Sequence, residues 1–363
     1  MSFNSFENLL TGHPAFRGGL LALLAAALFG LSTPLVQQFG RGLGAFSTAA
    51  LLYAGAAFVA VWMRQSAQRE ARLQRSDLPR LLAMAGLGAV IGPVALAWGL
   101  QRTSGSSASL MLTLEALFTG VLAWLLYGES MGKRVITAMV LLLLGGLALV
   151  VDQGAQGLSG GVQMLGLLAV LGATAAWGLD NTLSRGVADR DPAQVVVAKS
   201  AMGVAVSAAL AGLLNEPLPS LQAALALLAV GAVGYGLSLR FYLLAQRSFG
   251  AARTGSVFAF APFIGALGAF ALGDRSMGLV MALAGLLMLV GVALHLFESH
   301  GHAHGHDVLE HEHAHSHDAS QSDGHHLHTH DAIPSARHSH WHKHEPTTHT
   351  HAHVPDAHHG HGH

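Results

Sequence analysis

The chain of 363 residues contains no cysteine. Disulfides, thiolate metal centres and cysteine nucleophiles are therefore excluded. Charge is scarce as well. Asp, Glu, Lys and Arg make up 11% of the residues, less than half of the roughly 25% of a soluble domain. The formal net charge of −1 offers no basic surface, so no nucleic-acid partner is expected. Once the apolar runs are set aside, almost nothing is left for a soluble catalytic domain. No convergent acid, base and nucleophile set is visible, so the chain is not expected to be an enzyme, and no cofactor is required. The opening stretch, MSFNSFENLLTGHPAFR, lacks the basic n-region and small-residue cleavage site of a signal peptide. The first apolar run is expected to stay in place as a signal anchor.

What the chain has in quantity is apolar surface: 52% of residues are hydrophobic and the mean hydropathy is +0.45. Runs of roughly 20 residues, the length that crosses a bilayer, recur ten times. They fall at about 17–38, 44–63, 79–100, 106–127, 135–151, 162–184, 194–214, 221–245, 252–272 and 278–297. The fold class expected is an all-α integral membrane protein of ten transmembrane helices, with the lipid bilayer as its first partner.

The apolar part is written twice. GLQRTSGSSASLMLTLEALFTGVLAWLLYGES begins at Gly99, and LAQRSFGAARTGSVFAFAPFIGALGAFALGDR begins at Leu244. Gln101, Arg102, Gly105, Phe118, Gly120 and Gly128 fall on Gln246, Arg247, Gly250, Phe263, Gly265 and Gly273, all at one offset, 246 − 101 = 145. Glu129 falls on Asp274 at the same offset. Gly/Ala/Leu-rich helices resemble one another, but a constant offset across polar and glycine positions is not explained by composition. The organisation expected is an N-terminal segment 1–15, a first five-helix half 16–151, a second half 152–297 and a tail 298–363.

Lys and Arg in short loops favour the cytoplasmic side. With Arg17 inside, the inside loops hold Arg64, Arg69, Arg72, Arg75, Arg80, Lys133, Arg134, Arg185, Arg190 and Arg247, against Arg41, Arg102 and Arg275 outside. Both termini are thus expected in the cytoplasm, with the protein in the inner membrane. Five spans is an odd number, so the second half enters the membrane inverted. Arg102 and Arg247, equivalent in the repeat, land on opposite faces. Inverted repeats give a physical route to alternating access, because two packings can be exchanged between the halves.

These segments resemble the drug/metabolite transporter superfamily, specifically its EamA-type branch, over roughly residues 16–297. Each half opens on a Gly-marked helix, with Phe29-Gly30 in the first and Trp177-Gly178 in the second. Each closes on a small-residue loop, a helix and a Gly-acid ending, Gly128-Glu129 and Gly273-Asp274. Ala116 follows Leu114-Glu115 where the family often has proline, while Ala261-Pro262-Phe263 keeps it. The resemblance implies a small-molecule carrier, commonly an exporter of metabolites, amino acids or drugs.

Glu115 is the sharpest single candidate. It lies about ten residues into span four, where a carboxylate is expensive and usually faces a cavity or a partner. Burial disfavours its charged form, which suits a proton carrier and makes protons the candidate coupling ion; a neutral Glu bonded to a neighbouring helix is the competing reading. Asp180, Lys199 and Arg240 fall toward the cytoplasmic ends of spans six, seven and eight. They either line an inward vestibule or reach the interface, with Asp180 paired to one of them. Pro34, Pro93 and Pro262 permit bends, and Ser32 and Thr33 before Pro34 could offer hydroxyls to a cavity. Trp98, Trp124, Trp177, Tyr53, Tyr127 and Tyr235 suit interfacial anchors, with Trp98 and Trp177 alternatively lining the path. The cavity is expected among spans one, three, four, six, eight and nine.

From His300 the composition changes. All histidines but His13 and His295 lie beyond this point, separated by Gly, Ala, Ser, Thr, Asp and Pro. So little apolar surface predicts disorder. His-X-His pairs project to one side of an extended segment and could chelate Zn, Ni, Co or Cu. The candidate ligands are His302, His304, His306, His311, His313, His315, His317, His325, His326, His328, His330, His338, His340, His342, His344, His349, His351 and His353. Asp307, Glu310 and Glu312 could add oxygen ligands or orient the rings. A polycation that binds anionic lipid on protonation is the competing reading.

The leading expectation is a secondary transporter exporting a small organic metabolite or drug, with a cytoplasmic metal-binding tail. A divalent-metal exporter fed by the tail is the alternative within the same class. A membrane-anchored metal sensor or store is the alternative outside it. Assembly is left open, a homodimer among the options.

Overall fold

The computed structural model describes residues 14–63, 71–127, 132–154, 157–187, 190–249, 251–276, 278–296, 300–306, 309–315, 338–344 and 347–353. A backbone in lipid must satisfy its polar groups internally, and the apolar runs accordingly form helices. Among the described residues nine helical stretches are long and apolar enough to cross a membrane, from Gly18–Phe39 to Thr254–Ala271. The tenth expected span corresponds to the apolar helix Leu279–Leu296, whose described apolar stretch Leu279–Leu294 is shorter than the nine.

In chain order, span one is α1 (Pro14–Phe39) and span two α2 (Ala45–Trp62). Span three joins α3 (Leu78–Met84), a π-helical segment (Ala85–Ile91) and α4 (Gly92–Leu100). Span four is split into α5 (Gly105–Met111) and α6 (Leu114–Tyr127). Spans five to seven are α7 (Lys133–Gly154), α8 (Gly157–Ser184) and α9 (Pro192–Leu213). Span eight joins α10 (Leu221–Val230), a second π-helical segment (Gly231–Leu237) and α11 (Ser238–Phe249). Span nine is split into α12 (Ala251–Phe258) and α13 (Ala261–Ala271), and α14 (Leu279–Leu296) follows.

Polar caps fix where several of these helices begin. Ser104, Asp191 and Ser220 accept from the backbone N–H of Ser107, Ala193 and Ala223, satisfying donors that the helix leaves orphaned. Glycine lets spans two and eight touch backbone to backbone. A Cβ on Gly231 would stand 1.9 Å from the Leu52 carbonyl oxygen, and one on Gly55 2.0 Å from that of Leu228. The chain turns out of span nine through Gly273 at φ 100°, a conformation that needs glycine. Leu52, Leu96, Leu112, Leu142, Leu167 and Met288 fill the interior, each at most 2% exposed. Leu143, Leu147, Leu283 and Leu286, all above half exposed, point outward, as surface facing acyl chains must.

Both ends of the bundle carry polar interlocks. At one end, Glu216 accepts from the Phe46 and Ser47 N–H groups at 3.2 and 2.7 Å, and Asp274 Oδ2 accepts from Ser106 N–H at 2.9 Å. At the other, Arg190 Nε meets Asp77 Oδ2 at 3.0 Å.

In the tail, where disorder is expected from composition, four segments are strands. β1 (His300–His306) pairs antiparallel with β4 (Thr347–His353), and β2 (Leu309–His315) with β3 (His338–His344). Alternation of His with another residue has the period of a strand, and the paired backbones satisfy one another. The remaining tail residues, with His317, His325, His326, His328 and His330 among them, lie outside the described residues.

Candidate functional site

The two irregular spans of each half converge on one place. A π-helical turn breaks the regular register of backbone bonds. In span three, the Gly88 carbonyl accepts from Trp177 Nε1–H at 3.0 Å and from the Tyr53 hydroxyl. Those two rings are thereby fixed at the wall of a cavity with an empty volume of about 460 Å³. Its lining comes from spans one (Phe29), two (Tyr53), four (Glu115), six (Trp177, Asp180, Asn181), seven (Lys199), eight (Gly234, Tyr235, Ser238, Leu239, Tyr242) and nine (Phe258). It lies inside the bundle, level with the middle of spans two and eight.

Aromatic rings make most of the wall and brace one another. The Phe29 centroid lies 5.5 Å from Trp177, 5.7 Å from Tyr235 and 5.4 Å from Phe258. Tyr53 stands 5.6 Å from Tyr235, edge to face, and Tyr242 stands 5.0 Å from Phe258. Edge-to-face packing of this kind favours a fixed arrangement. Phe29 owes its place to Gly30, where a Cβ would meet the Ala261 carbonyl oxygen at 2.2 Å, so that span one lies directly against α13.

The charged groups are few. Glu115, in the first turn of α6, accepts from Asn181 Nδ2. Asp180 and Lys199 form an ion pair, with the two residues each 3% exposed. Asp180 Oδ1 is buried without a hydrogen-bond partner among the described residues, and the Tyr235 hydroxyl is buried beside the Ser32 side chain. The site can therefore surround an apolar or aromatic body with rings, and present it with one amide-held carboxylate and one ion pair.

Of the residues singled out from sequence, Glu115, Asp180 and Trp177 come together here. Arg240 does not line the cavity; its guanidinium donates to the Met63 carbonyl at 2.9 Å. Trp98 is 37% exposed, with the Arg102 guanidinium 3.6 Å over its ring, and it does not line the cavity. Ser32 and Thr33 are buried, the Ser32 hydroxyl bonding back to Phe29 O at 2.6 Å. Pro34 lies inside α1 near Gly268, and Pro262 opens α13. Tyr53 and Tyr235, which suit interfacial anchors by type, are instead buried at the cavity. Tyr242 and Phe258 carried no sequence signal, because their types are ordinary in apolar helices; Phe29 was marked only as the neighbour of Gly30, and Asn181, a polar amide within span six, was a signal passed over. Spans two and seven contribute where span three was expected; span three supplies the Gly88 carbonyl behind the rings. Glu129 and Gly128 lie outside the described residues.

In the tail, the register sets His302 opposite His351, His304 opposite His349, His311 opposite His342, His313 opposite His340 and His315 opposite His338. His306 is opposite Thr347, His344 opposite Leu309 and His353 opposite His300.

Comparison with known proteins agrees with this architecture. A curated relative from Methanothermobacter thermautotrophicus, described as an uncharacterized transporter, is 29% identical over 235 residues, covering 63% of this chain and 68% of its own. A solved crystal structure with 19% identity shares the fold, with a TM-score of 0.56 over 77% of this chain and 96% of the other. The EamA-like transporter family matches residues 16–151 and 164–297. The chain is a multi-pass membrane protein that belongs to the EamA-like transporter family.

Proposed function

We propose that the protein is a secondary transporter that exports a small organic metabolite or drug by alternating access, with Glu115 as the proton-coupling group. The observation that carries this reading is the cavity itself, in which six aromatic rings surround a carboxylate held by one amide. Rings favour an organic body over a hydrated dication, and a protonatable carboxylate can change its preference between two access states. The two halves are read as inverted repeats, with both termini in the cytoplasm of the inner membrane, on the strength of the 145-residue offset and the basic bias of alternate loops. The tail is read as binding Zn, Ni, Co or Cu, supported by the histidines set opposite one another. That register also supports the second reading, a divalent-metal exporter fed by the tail.

The test is flux in proteoliposomes, with solutes chosen by thermal shift of the purified protein with and without residues 300–363. Glu115→Gln should abolish proton-driven flux yet retain solute counterflow, and tail deletion should remove metal binding while leaving flux intact. Unchanged flux in Glu115→Gln would sink the coupling role. A phenotype lost with the tail and untouched by Glu115→Gln would favour a metal sensor or store.

A further inference from the structure

Hydroxyls within the spans mostly bond back to the preceding turn. Thr48 donates to Gly44 O at 2.9 Å, Thr174 to Val170 O at 2.7 Å and Thr182 to Gly178 O at 2.7 Å, the usual recourse of such residues inside a helix. Span four departs from this. Ser109 and Thr113, 0% and 1% exposed, have hydroxyls with no hydrogen-bond partner among the described residues. The Thr103 hydroxyl, in a residue 7% exposed, has none either. Ser106, fully buried, lies between them with its side chain beside the Asp274 carboxylate. Ser106 and Ser109 share one face of α5, with Thr103 just before its start and Thr113 in the break after it.

That face is pressed against span nine. A Cβ on Gly265 would stand 2.8 Å from Ser109 Oγ, and the seam is closed at its end by Asp274 on the Ser106 N–H. Unpartnered buried hydroxyls are costly. Three within one stretch of span four describe a surface suited to a different, wetter setting.

The repeat supplies that setting. At the offset of 145, Ser109 corresponds to Thr254 and Thr113 to Phe258, so α5 corresponds to α12. Phe258 lines the cavity and packs on Tyr242. Hence α12 is the part of span nine turned to the cavity, while its counterpart α5 is sealed against α13. An exchange of packing between the halves reverses these roles and uncovers the hydroxyl face. We infer that Thr103, Ser106, Ser109 and Thr113 form the solute-contacting wall of the second access path, the one that the present packing of span four against span nine closes. This wall offers hydrogen bonds to the solute and its water where the cavity side offers rings. The inference rests on the reading of the chain as a transporter of two inverted halves.

The absence of cysteine makes the test direct. Single Ser109→Cys, Thr113→Cys, Phe258→Cys and Thr174→Cys variants of the full chain are labelled with a membrane-impermeant methanethiosulfonate, from each side of oriented vesicles. Phe258→Cys should react from one face, Ser109→Cys and Thr113→Cys from the other, and Thr174→Cys, buried and back-bonded, from neither. Adding Asp274→Asn should raise Ser109→Cys labelling about tenfold, the worth of one charge-assisted hydrogen bond, and lower Phe258→Cys labelling in return. The inference is overturned if Ser109→Cys and Thr113→Cys stay as inert as Thr174→Cys, if they react from the face that labels Phe258→Cys, or if Asp274→Asn raises labelling at both sites together. The transport reading fails separately, if the unmodified protein carries no solute flux in proteoliposomes, and labelling is read without any flux measurement.

Discussion

The Asp180–Lys199 pair offers the most quantitative test of the site. Both residues are 3% exposed, and Asp180 Oδ1 already lacks a hydrogen-bond partner. The two charges thus lean on each other with little help from water. Removing one partner of such a pair strands the other charge and typically costs about 3–5 kcal/mol, whereas replacing both by neutral groups of similar volume is often neutral or better. Asp180→Asn and Lys199→Met should each destabilise by about that amount, and the double variant should recover most of it. The corresponding interaction energy is about 3 kcal/mol or more in a double-mutant cycle, far beyond the few tenths expected of independent sites. Equilibrium unfolding in mixed micelles of SDS and a mild detergent supplies the four stabilities. Single losses below about 1 kcal/mol, or losses that simply add in the double variant, would refute the view of a dry, mutually dependent pair.

Crowding at the crossing of spans two and eight makes Gly231→Ala severe. Its Cβ would sit 1.9 Å from a backbone carbonyl oxygen, which cannot rotate away, so a loss of at least 1–3 kcal/mol is expected, measured as folded yield and melting temperature. Gly172→Ala, with open space around its Cβ, should be neutral or slightly stabilising, as alanine favours the helix. For Asp274, partial burial raises the carboxyl, but hydrogen bonds from Ser276 and Ser106 outweigh it and hold the group below its ordinary value of 3.8. A depressed value stabilises the fold above pH 3.8, and that contribution fades as pH falls through the lowered value. The group is half-exposed, so the amount is below about 1 kcal/mol. Asp274→Asn should flatten that stretch of an acid titration followed by melting. Deleting residues 300–363 should remove high-affinity Zn or Ni binding seen by calorimetry and leave the melting temperature of the apo protein unchanged.

The spans were legible because lipid leaves a backbone few alternatives. A run read as 44–63 is the helix Ala45–Trp62, and one read as 162–184 ends at Ser184. Which face of each helix turns inward was not legible. Spans that are apolar all round carry no amphipathic stripe, so nothing in the sequence distinguishes Tyr53 at the cavity from Trp124, half-exposed on the outside. Glu115 was found because a lone carboxylate in an apolar run is costly wherever it points. The break at Ala259–Phe260 had a marker in Pro262, but that at Leu112–Thr113 had none, since Ala116 stands where a proline would have shown it. The π-helical turns were likewise hidden, for Gly86, Gly88, Gly234 and Gly236 read equally well as packing residues.

Those two π-helical turns bear on how two halves matched by one family carry different chemistry. They start at Ala85 and Gly231 and end at Ile91 and Leu237, 231 − 85 = 146 residues apart at both limits. A Cβ on Gly88 would meet Asp180 Oδ2 at 2.0 Å, and a Cβ on Gly234 would meet the Ser32 Cβ at 2.5 Å. Aligned on Gly30 and Gly178, Ser32 and Asp180 are counterparts, 180 − 32 = 148. The same backbone contact is thus made twice, each time from one half into the other. In one copy it receives a hydroxyl that bonds back to its own helix, and in the other a carboxylate that needs Lys199. Glu115 and Phe260 differ in the same way. A carrier with identical halves would bind its solute equally from both faces, and nothing in its site would favour one direction. On the reading of two inverted halves, charges confined to one copy of each contact break that equality. An Asp180→Ser, Lys199→Leu variant, which copies the first half's chemistry into the second, should therefore keep its fold while its affinities measured from the two faces converge.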